Sequence, residues 1–324
     1  MADQTNTRFE LRAADDGDIS EIISVCSKAL QWSSPDFDEA LFRWKHLDNA
    51  FGPSLILVAT DSAHDDRIVA VRAFMRWRFA TSRGETVPAA RAVDTATLPE
   101  AQGNGLFTRL TLAGLDELES EGCGFVFNTP NAKSLPGYLK MGWSSAGKVG
   151  FGFSATNPAS VARIARSRTA SQKPSVPTPD LGIDIGDALS SGLATPPHSD
   201  SDHFRTNHDA ATLRWRYASG PIDYRYLPIE GGAGEGGAIV RLRRRGEIDE
   251  LVVAEVLGSP EPSATSAALR AAQRDVDADL LIAPSGTPRT LSLGTAGPTL
   301  ALRSLKSPVS ASQFRWVPGD IELF

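Results

Sequence analysis

Apolar positions along the first half of this chain switch between a period of two and a period near 3.6, and each switch marks an element. Phe9 to Leu11 reads as a short strand; after the turn at Asp15 to Asp18, the residues Ile19, Ile22, Ile23, Val25, Cys26 and Leu30 recur at helical spacing. Asp38 to Trp44 predicts a second short helix. Ser54 to Thr60 predicts a buried strand that ends in the turn Asp61 to Asp66. Two long arms come next, Arg67 to Thr81 and Thr86 to Thr97, joined by Ser82-Arg83-Gly84-Glu85, a turn of hairpin length and chemistry. The second arm runs into PEAQGNG. Beyond it Leu106, Leu110, Leu112, Leu115 and Leu118 return at helical spacing as far as Glu121, and Phe125 to Phe127 begins a buried strand.

From Ser154 to about Asp202 the periodicity gives way to Ser, Thr, Pro, Ala and Gly, the composition of a linker or a poorly packed excursion, with a short helix over Val161 to Arg168. The rest of the chain repeats the pattern of the first half. DEALFRWK at Asp38 to Lys45 is echoed by DAATLRWR at Asp209 to Arg216. After each copy come a strand, a charged hairpin, a helix (Leu106 to Glu121; Ser263 to Val276) and a buried strand (Phe125 to Phe127; Leu280 to Ala283). The expected organisation is one domain over residues 1–153, a linker over 154–202, and a second copy of the same fold over 203–324. A length of 324 residues agrees with two domains.

Composition narrows the class. With 41% hydrophobic and 22% charged residues the chain can bury globular cores. A net charge of -6 argues against a polyanion binder, so nucleic acid is not an expected partner. Cys26 and Cys123 cannot build a disulfide framework or a zinc cluster, which points to a reducing cytoplasm and to no metal. The first residues lack an apolar leader core, and no apolar run reaches the roughly 18 residues that span a bilayer, so no membrane association is expected.

The chemistry lies in residues 93–143. A pyrophosphate is best held by several backbone amides converging at a helix N-terminus, with glycines that allow close approach. Gln102-Gly103-Asn104-Gly105-Leu106-Phe107 offers such a turn between a strand and a helix. After the next strand come Asn131, Pro136-Gly137-Tyr138 and Gly142-Trp143. VDTATLPEAQGNGLFTRL resembles the first cofactor motif of the GCN5-related N-acetyltransferases, and NAKSLPGYLKMGW the second. Phe107 stands where that family usually has a small residue. The resemblance implies an α/β fold, a mixed and mostly antiparallel sheet flanked by helices, here in two tandem copies. It also implies acetyl-CoA as acyl donor, with the amides of residues 102–107 on the pyrophosphate, Asn131 at the pantetheine, and Tyr138 as the acid that protonates the departing thiolate. The backbone of Ala96, Thr97 and Leu98 would meet the pantetheine and the thioester oxygen. Asp94 occupies a strand where related enzymes often carry a carboxylate, and its apolar surroundings predict a raised pKa suited to accepting the amine's proton.

The second copy has no QGNG: Glu255 to Pro262 brings two prolines and two glutamates to the equivalent place, which removes amide donors and repels phosphate. It is expected to bind no coenzyme A. Arg72, Arg76 and Arg78 read as a solvated sheet face, Arg241 to Arg245 as a solvated turn, and His203 and His208 as ordinary loop residues. The expected activity is transfer of an acetyl group to a primary amine of a small molecule or peptide. Aminoacyl transfer of the cell-wall bridge type, or a non-enzymatic acyl-CoA sensor, are the alternatives. The chain also resembles the enhanced-intracellular-survival aminoglycoside acetyltransferases in having a degenerate second copy; there a terminal carboxylate is the base, whereas Phe324 is expected here simply to pack.

Overall fold

The elements form where the periods place them, and their ends are set by local chemistry. A computed structural model describes residues 8–30, 38–167, 172–193, 202–229, 236–293 and 297–322. Two compact units emerge: the first is Met1–Arg78, Val87–Ser145 and Ala301–Val309, the second Phe79–Thr86, Ala146–Leu300 and Ser310–Phe324.

The earlier part of the chain gives β1 (Phe9–Ala13), α1 (Ile19–Leu30), α2 (Glu39–His46), β2 (Leu55–Asp61), β3 (Arg67–Ala80), β4 (Thr86–Thr97), α3 (Leu106–Ser120), β5 (Phe125–Asn128), α4 (Leu135–Lys140) and β6 (Ser144–Lys148). Helix α2 starts where Asp38 accepts the Leu41 amide at 2.8 Å, satisfying one of the donors a helix N-terminus leaves orphaned. Strand β3 is buried along almost its whole length, as a central strand covered on both faces must be. Its Phe74 packs with Ala90, Leu115, Leu118, Val126 and Trp143 in the core beneath α3.

The remainder gives β7 (Phe151–Ala155), α5 (Pro158–Arg166), β8 (Gln172–Val176), β9 (Ile183–Asp184), α6 (Ile185–Ser190), β10 (Arg205–Thr206), α7 (Ala210–Leu213, continued by a π-turn over Arg214–Ala218), β11 (Arg225–Ile229), β12 (Gly236–Arg245), β13 (Ile248–Gly258), α8 (Pro262–Asp275), β14 (Leu280–Pro284), β15 (Leu291–Leu293), β16 (Thr299–Ser304) and α9 (Pro318–Ile321). Its core gathers Leu227, Val240, Leu251, Val253, Leu269 and Leu281. Within residues 154–202, where composition predicts a linker, α5, β8, β9 and α6 are formed.

Both sheets are mixed α/β assemblies of mostly antiparallel strands. One runs β1-β2-β3-β4-β5-β16-β6, the other β15-β7-β14-β13-β12-β11-β9. Each has a parallel pair, β4 with β5 and β13 with β14, at the place where a helix crosses over between the two strands. In the first sheet β16 lies antiparallel to β5, with Leu302 opposite Phe127. In the second, β7 lies antiparallel to β14, with Phe153 opposite Ile282.

The basic run at the β12–β13 turn is not a solvated patch. Arg243 and Arg245 both pair with buried Glu250, Arg244 with Asp249, and buried Arg241 with buried Glu322 at 2.7 Å. Near the end of the chain Phe314 forms a single bridge to Phe204, and α9 succeeds it. That helix buries Asp320, which accepts from the Thr206 hydroxyl and the Val317 amide. Burial first, and the charge of Glu255 second, push the Asp320 carboxyl up to about 7. A carboxyl raised on folding adds stability below its unfolded pKa of about 3.9 and loses it as pH rises through its folded value. Asp320→Asn is therefore expected to gain stability relative to the parent as pH is raised from about 4 to about 8. Thermal melts of both proteins across that range check this, and a constant difference in Tm would refute it.

Candidate active site

The turn between β4 and α3 is built as the glycines require. Gly103 and Gly105 adopt φ of +81° and +69°, left-handed values that residues with a Cβ rarely reach. Gly105 is the N-cap of α3, so the amides of Leu106 and Phe107 head a fifteen-residue helix without intrahelical acceptors. Asn104 braces the loop by donating to the carbonyls of Ala101 at 3.0 Å and Gln102 at 3.2 Å, and the Gln102 side chain donates to the Thr97 carbonyl at 3.2 Å. The result is a preformed turn at the positive end of the helix dipole, a geometry that suits an anion.

Beside it the sheet opens. Pairing of β4 with β5 covers only Ala89 to Arg91, opposite Phe125 to Phe127. Beyond Arg91 that pairing has ended, and β4 runs on through Ala96 and Thr97 past the end of β5 at Asn128, which leaves a gap beside its last residues. Leu98 behaves differently: its amide donates to Val69 at 2.9 Å and its carbonyl accepts from Ala101 at 2.9 Å, so its polar backbone is already committed.

Tyr138 projects from α4 into the core and is 5% exposed. Its hydroxyl oxygen accepts from Arg72 Nη1 at 2.9 Å. Arg72, expected on a solvated face with Arg76 and Arg78, is fully buried, because the alternation that carries Arg78 to the surface breaks down along a strand covered on both sides. Its guanidinium lies 4.6 Å from the Phe74 ring centroid, 5.4 Å from that of Tyr138 and 5.9 Å from that of Phe107, and it also donates to the Thr95 hydroxyl. Such a cation is held by ring quadrupoles rather than by a carboxylate. Its Nε and Nη2 are buried and make no hydrogen bond among the described residues.

Phe107 thereby acquires a purpose. It meets Tyr138 edge-on, with centroids 5.4 Å apart, and a Cβ at Gly137 would come within 3.1 Å of it. The large residue in the first motif and the glycine beside Tyr138 in the second thus fit one another. Asn131 turns its side-chain oxygen back onto its own loop. Oδ1 accepts the amides of Lys133 at 2.9 Å and Ser134 at 3.0 Å, shaping the turn that launches α4.

Asp94 sits on β4 with φ +41°, a bulge conformation that interrupts the alternation of the strand. It finds two partners on α2. Lys45 Nζ lies 2.6 Å from Oδ2, close enough for an ion pair though not aligned as a hydrogen bond, and His46 Nε2 lies 2.7 Å from the same oxygen. His46 Nδ1 is 2.9 Å from Ser54 Oγ. An ionised carboxylate only accepts, so His46 carries its proton on Nε2 and takes the Ser54 hydroxyl hydrogen on Nδ1. All of this is buried: Lys45 is 2% exposed and His46 not at all. Burial opposes ionisation of Asp94, but Lys45 and His46 outweigh it and hold the carboxyl below its ordinary range. The expectation of a raised pKa is therefore corrected, because an apolar strand sequence conceals the cation that α2 delivers. For His46, by contrast, burial outweighs the pull of Asp94 and favours the neutral ring.

The internal repeat foreshadowed this cluster. Lys45 and His46 align with Arg216 and Tyr217 in the second copy, and there Tyr217 donates to Glu255 on β13 at 3.1 Å, with His208 Nε2 also 3.1 Å from the same oxygen. Both copies thus anchor a carboxylate of the fourth-strand equivalent through the helix carrying the Arg-Trp motif. His208, expected to be an ordinary loop residue, is part of that buried network.

Among the described residues no group of three or more His, Cys, Asp or Glu is placed to hold a metal ion, and no helix is long and apolar enough to cross a membrane. Phe324 lies outside the described residues.

A model of the acetyltransferase (GNAT) domain family matches residues 10–146. Mycothiol acetyltransferase of Nocardia farcinica is 28% identical over 138 residues, which are 41% of this chain and 44% of that protein. The chain thus spans less than half the length of this curated relative. Among solved structures, a probable N-acyltransferase of unknown function from Enterococcus faecalis aligns over 93% of this chain and 73% of its own, at 13% identity and a TM-score of 0.60. A GCN5-related N-acetyltransferase from Kribbella flavida aligns over 94% and 73% at 14% identity and 0.53, and Eis1 from Mycobacterium abscessus over 92% and 73% at 14% and 0.53. These structures share the fold over nearly the whole chain, and the two sheets fit a tandem form of it.

Proposed function

We propose that the GNAT domain formed by residues 10–146 transfers an acetyl group from acetyl-CoA to a primary amine of a small molecule or peptide. The observation that carries this reading is the end of β4–β5 pairing at Arg91, which frees the last residues of β4 as they run into the glycine turn of α3, where Arg72 joins Thr95 of β4 to the Tyr138 hydroxyl. In this reading the amides of Gly103 to Phe107 hold the pyrophosphate, and the pantetheine threads past Ala96 and Thr97, with Asn131 at its edge and Leu98 supplying the end of the strand.

The amine attacks the thioester carbon, and the tetrahedral intermediate collapses with expulsion of the thiolate. Tyr138 gives its hydroxyl proton to that thiolate. Arg72 donates to the phenol oxygen, which leaves the O–H free to point at the leaving sulfur and places a fixed cation where negative charge develops. The amine's proton passes to Asp94, directly or through water, and His46 shares the charge through the bond at 2.7 Å. Asp94, ionised throughout the neutral range, is the right sign to draw an ammonium group into place.

Coenzyme A release and product mass measured across an amine panel, including the acceptor of the mycothiol acetyltransferase relative, test the assignment. Acetyl-CoA turnover with no amine in a broad panel, beyond slow hydrolysis, would count against transfer. Gly105→Val forces a β-branched residue to φ +69° at the helix cap. It is expected to weaken coenzyme A binding about tenfold or more, roughly the 1–3 kcal/mol of such backbone strain, as read by calorimetry. Unchanged affinity would mean that the phosphates bind elsewhere.

A further inference from the structure

We propose that the second unit carries a binding site of its own for an anionic small molecule with a planar ring, in the cavity walled by Lys148, His203, Gly286, Phe314, Arg315 and Trp316. The cavity measures about 580 Å³, a size that suits a compact organic ligand. Its walls contain three basic side chains and no acidic one. Several cations elsewhere in this unit are paired with carboxylates: Arg163 with Asp279, Arg241 with Glu322, Arg243 and Arg245 with Glu250, Arg244 with Asp249. Lys148, His203 and Arg315 have no such partner among the described residues.

The neighbouring Arg205 shows what that arrangement costs. Its Nε is buried without a hydrogen bond, and its pKa is lowered, first by burial and then by repulsion from Arg315. Glu255 and Asp320 offset that repulsion only in part, and an anion placed before Arg315 would add to their effect, since Arg's fork matches a carboxylate or phosphate bidentately.

The remaining wall recognises a ring. Phe314 stacks on Trp316, with centroids 5.1 Å apart and planes at 27°, and on Phe204 at 5.3 Å and 28°, while Phe79 packs edge-on against both Phe314 and Trp316. Rings braced in this way form a rigid flat surface that loses little entropy on contact. Opposite, Gly286 comes after β14 with φ +85°, and a Cβ there would lie 3.9 Å from Arg315 Nη2, so the guanidinium hangs over a turn of exposed backbone. Ser285 and Gly286 succeed β14 as Thr129 and Pro130 succeed β5. The second copy has lost the glycine turn for pyrophosphate but keeps a ligand-sized opening at this end of its sheet. The proposal stands independently of acyl transfer in the first unit.

Calorimetric titration of the full chain with 2-naphthoate, phenyl phosphate and the uncharged 2-naphthalenemethanol tests it. Saturable binding of an anionic probe is expected, weakened about tenfold or more by Lys148→Gln with Arg315→Gln at unchanged Tm. The same probe should quench fluorescence in the parent more than in Trp316→Phe. Tighter binding of phenyl phosphate would point to a phosphate ligand, and of naphthoate to a carboxylate; either supports the site. Equal binding of naphthoate and the neutral alcohol, no saturable binding of either anion, or indifference to the double substitution would overturn it.

Discussion

Replacing Tyr138 by Phe is expected to lower kcat by roughly 10²- to 10³-fold while leaving coenzyme A affinity within about twofold of the parent, the size of effect that a positioned proton donor commonly supplies. The substitution removes one oxygen and keeps the ring, so the contacts with Phe107 and Trp143 survive. It does leave Arg72 Nη1 short of one acceptor in the interior, which costs about 1–3 kcal/mol, and a modest fall in Tm is expected alongside. Steady-state kinetics and calorimetry on the same preparation separate the outcomes. Parallel loss of turnover and binding would assign Tyr138 to packing. Unchanged turnover would remove it from the reaction and favour a chain that senses acyl-coenzyme A without consuming it.

Asp94→Asn is expected to have the larger effect on stability. It strips a buried lysine of its counter-charge, and breaking a buried ion pair from one side typically costs about 3–5 kcal/mol. For a domain of this size that corresponds to a fall in Tm on the order of 6–15 °C. Lys45→Met combined with Asp94→Asn removes both charges and should recover much of that loss, a coupling that a double-mutant cycle measures directly. Turnover should stay low in the double variant across the neutral range if Asp94 accepts the amine's proton. Recovery of full turnover with recovered stability would confine Asp94 to a structural role. A carboxyl held low by Lys45 and His46 adds stability above its unfolded pKa and loses it as pH falls below about 4, so the melting temperatures of parent and single variant should converge in acid.

Much of the first unit could be read from the sequence, because its decisive signals are local. The hairpin at Ser82 to Glu85, the glycines of QGNG and the helices over Ile19–Leu30 and Leu106–Ser120 depend on residues a few positions apart. Glycines at φ +81° and +69° are what a tight turn into a helix demands, and the sequence offers nothing else there that reaches those values cheaply. The repeat DEALFRWK and DAATLRWR carried more than it disclosed. Its first aspartate is a helix cap in both copies, and the residue just after its last basic position, His46 or Tyr217, meets the carboxylate of a distant strand.

Arg72 shows where local reading stops. In register with Arg76 and Arg78 on the same strand, it looks like part of a wet face; only the covering of β3 by other elements, together with three rings drawn from β3, α3 and α4, makes its burial tolerable. Asp94 is the converse. With Ala92, Val93 and Ala96 near it in sequence, it looks like a lone carboxylate in an apolar strand, yet its positive φ accompanies contacts with a lysine and a histidine nearly fifty residues away in sequence. Periodicity reports which side of its own element a residue faces. It is silent on what the facing element brings, since that depends on register, bulges and the order of strands.

The sequence by itself therefore determined the elements, their order, the glycine turn that heads α3 and the doubling of the pattern, because each is set by backbone preferences and burial within one segment. Only the tertiary structure decided that Arg72 holds Tyr138, that Lys45 and His46 hold Asp94, and that β16 pairs with β5. Those contacts join residues 48 and 66 positions apart for the side chains, and farther still for the strands, and their energy exists only once the chain has closed the loops between them.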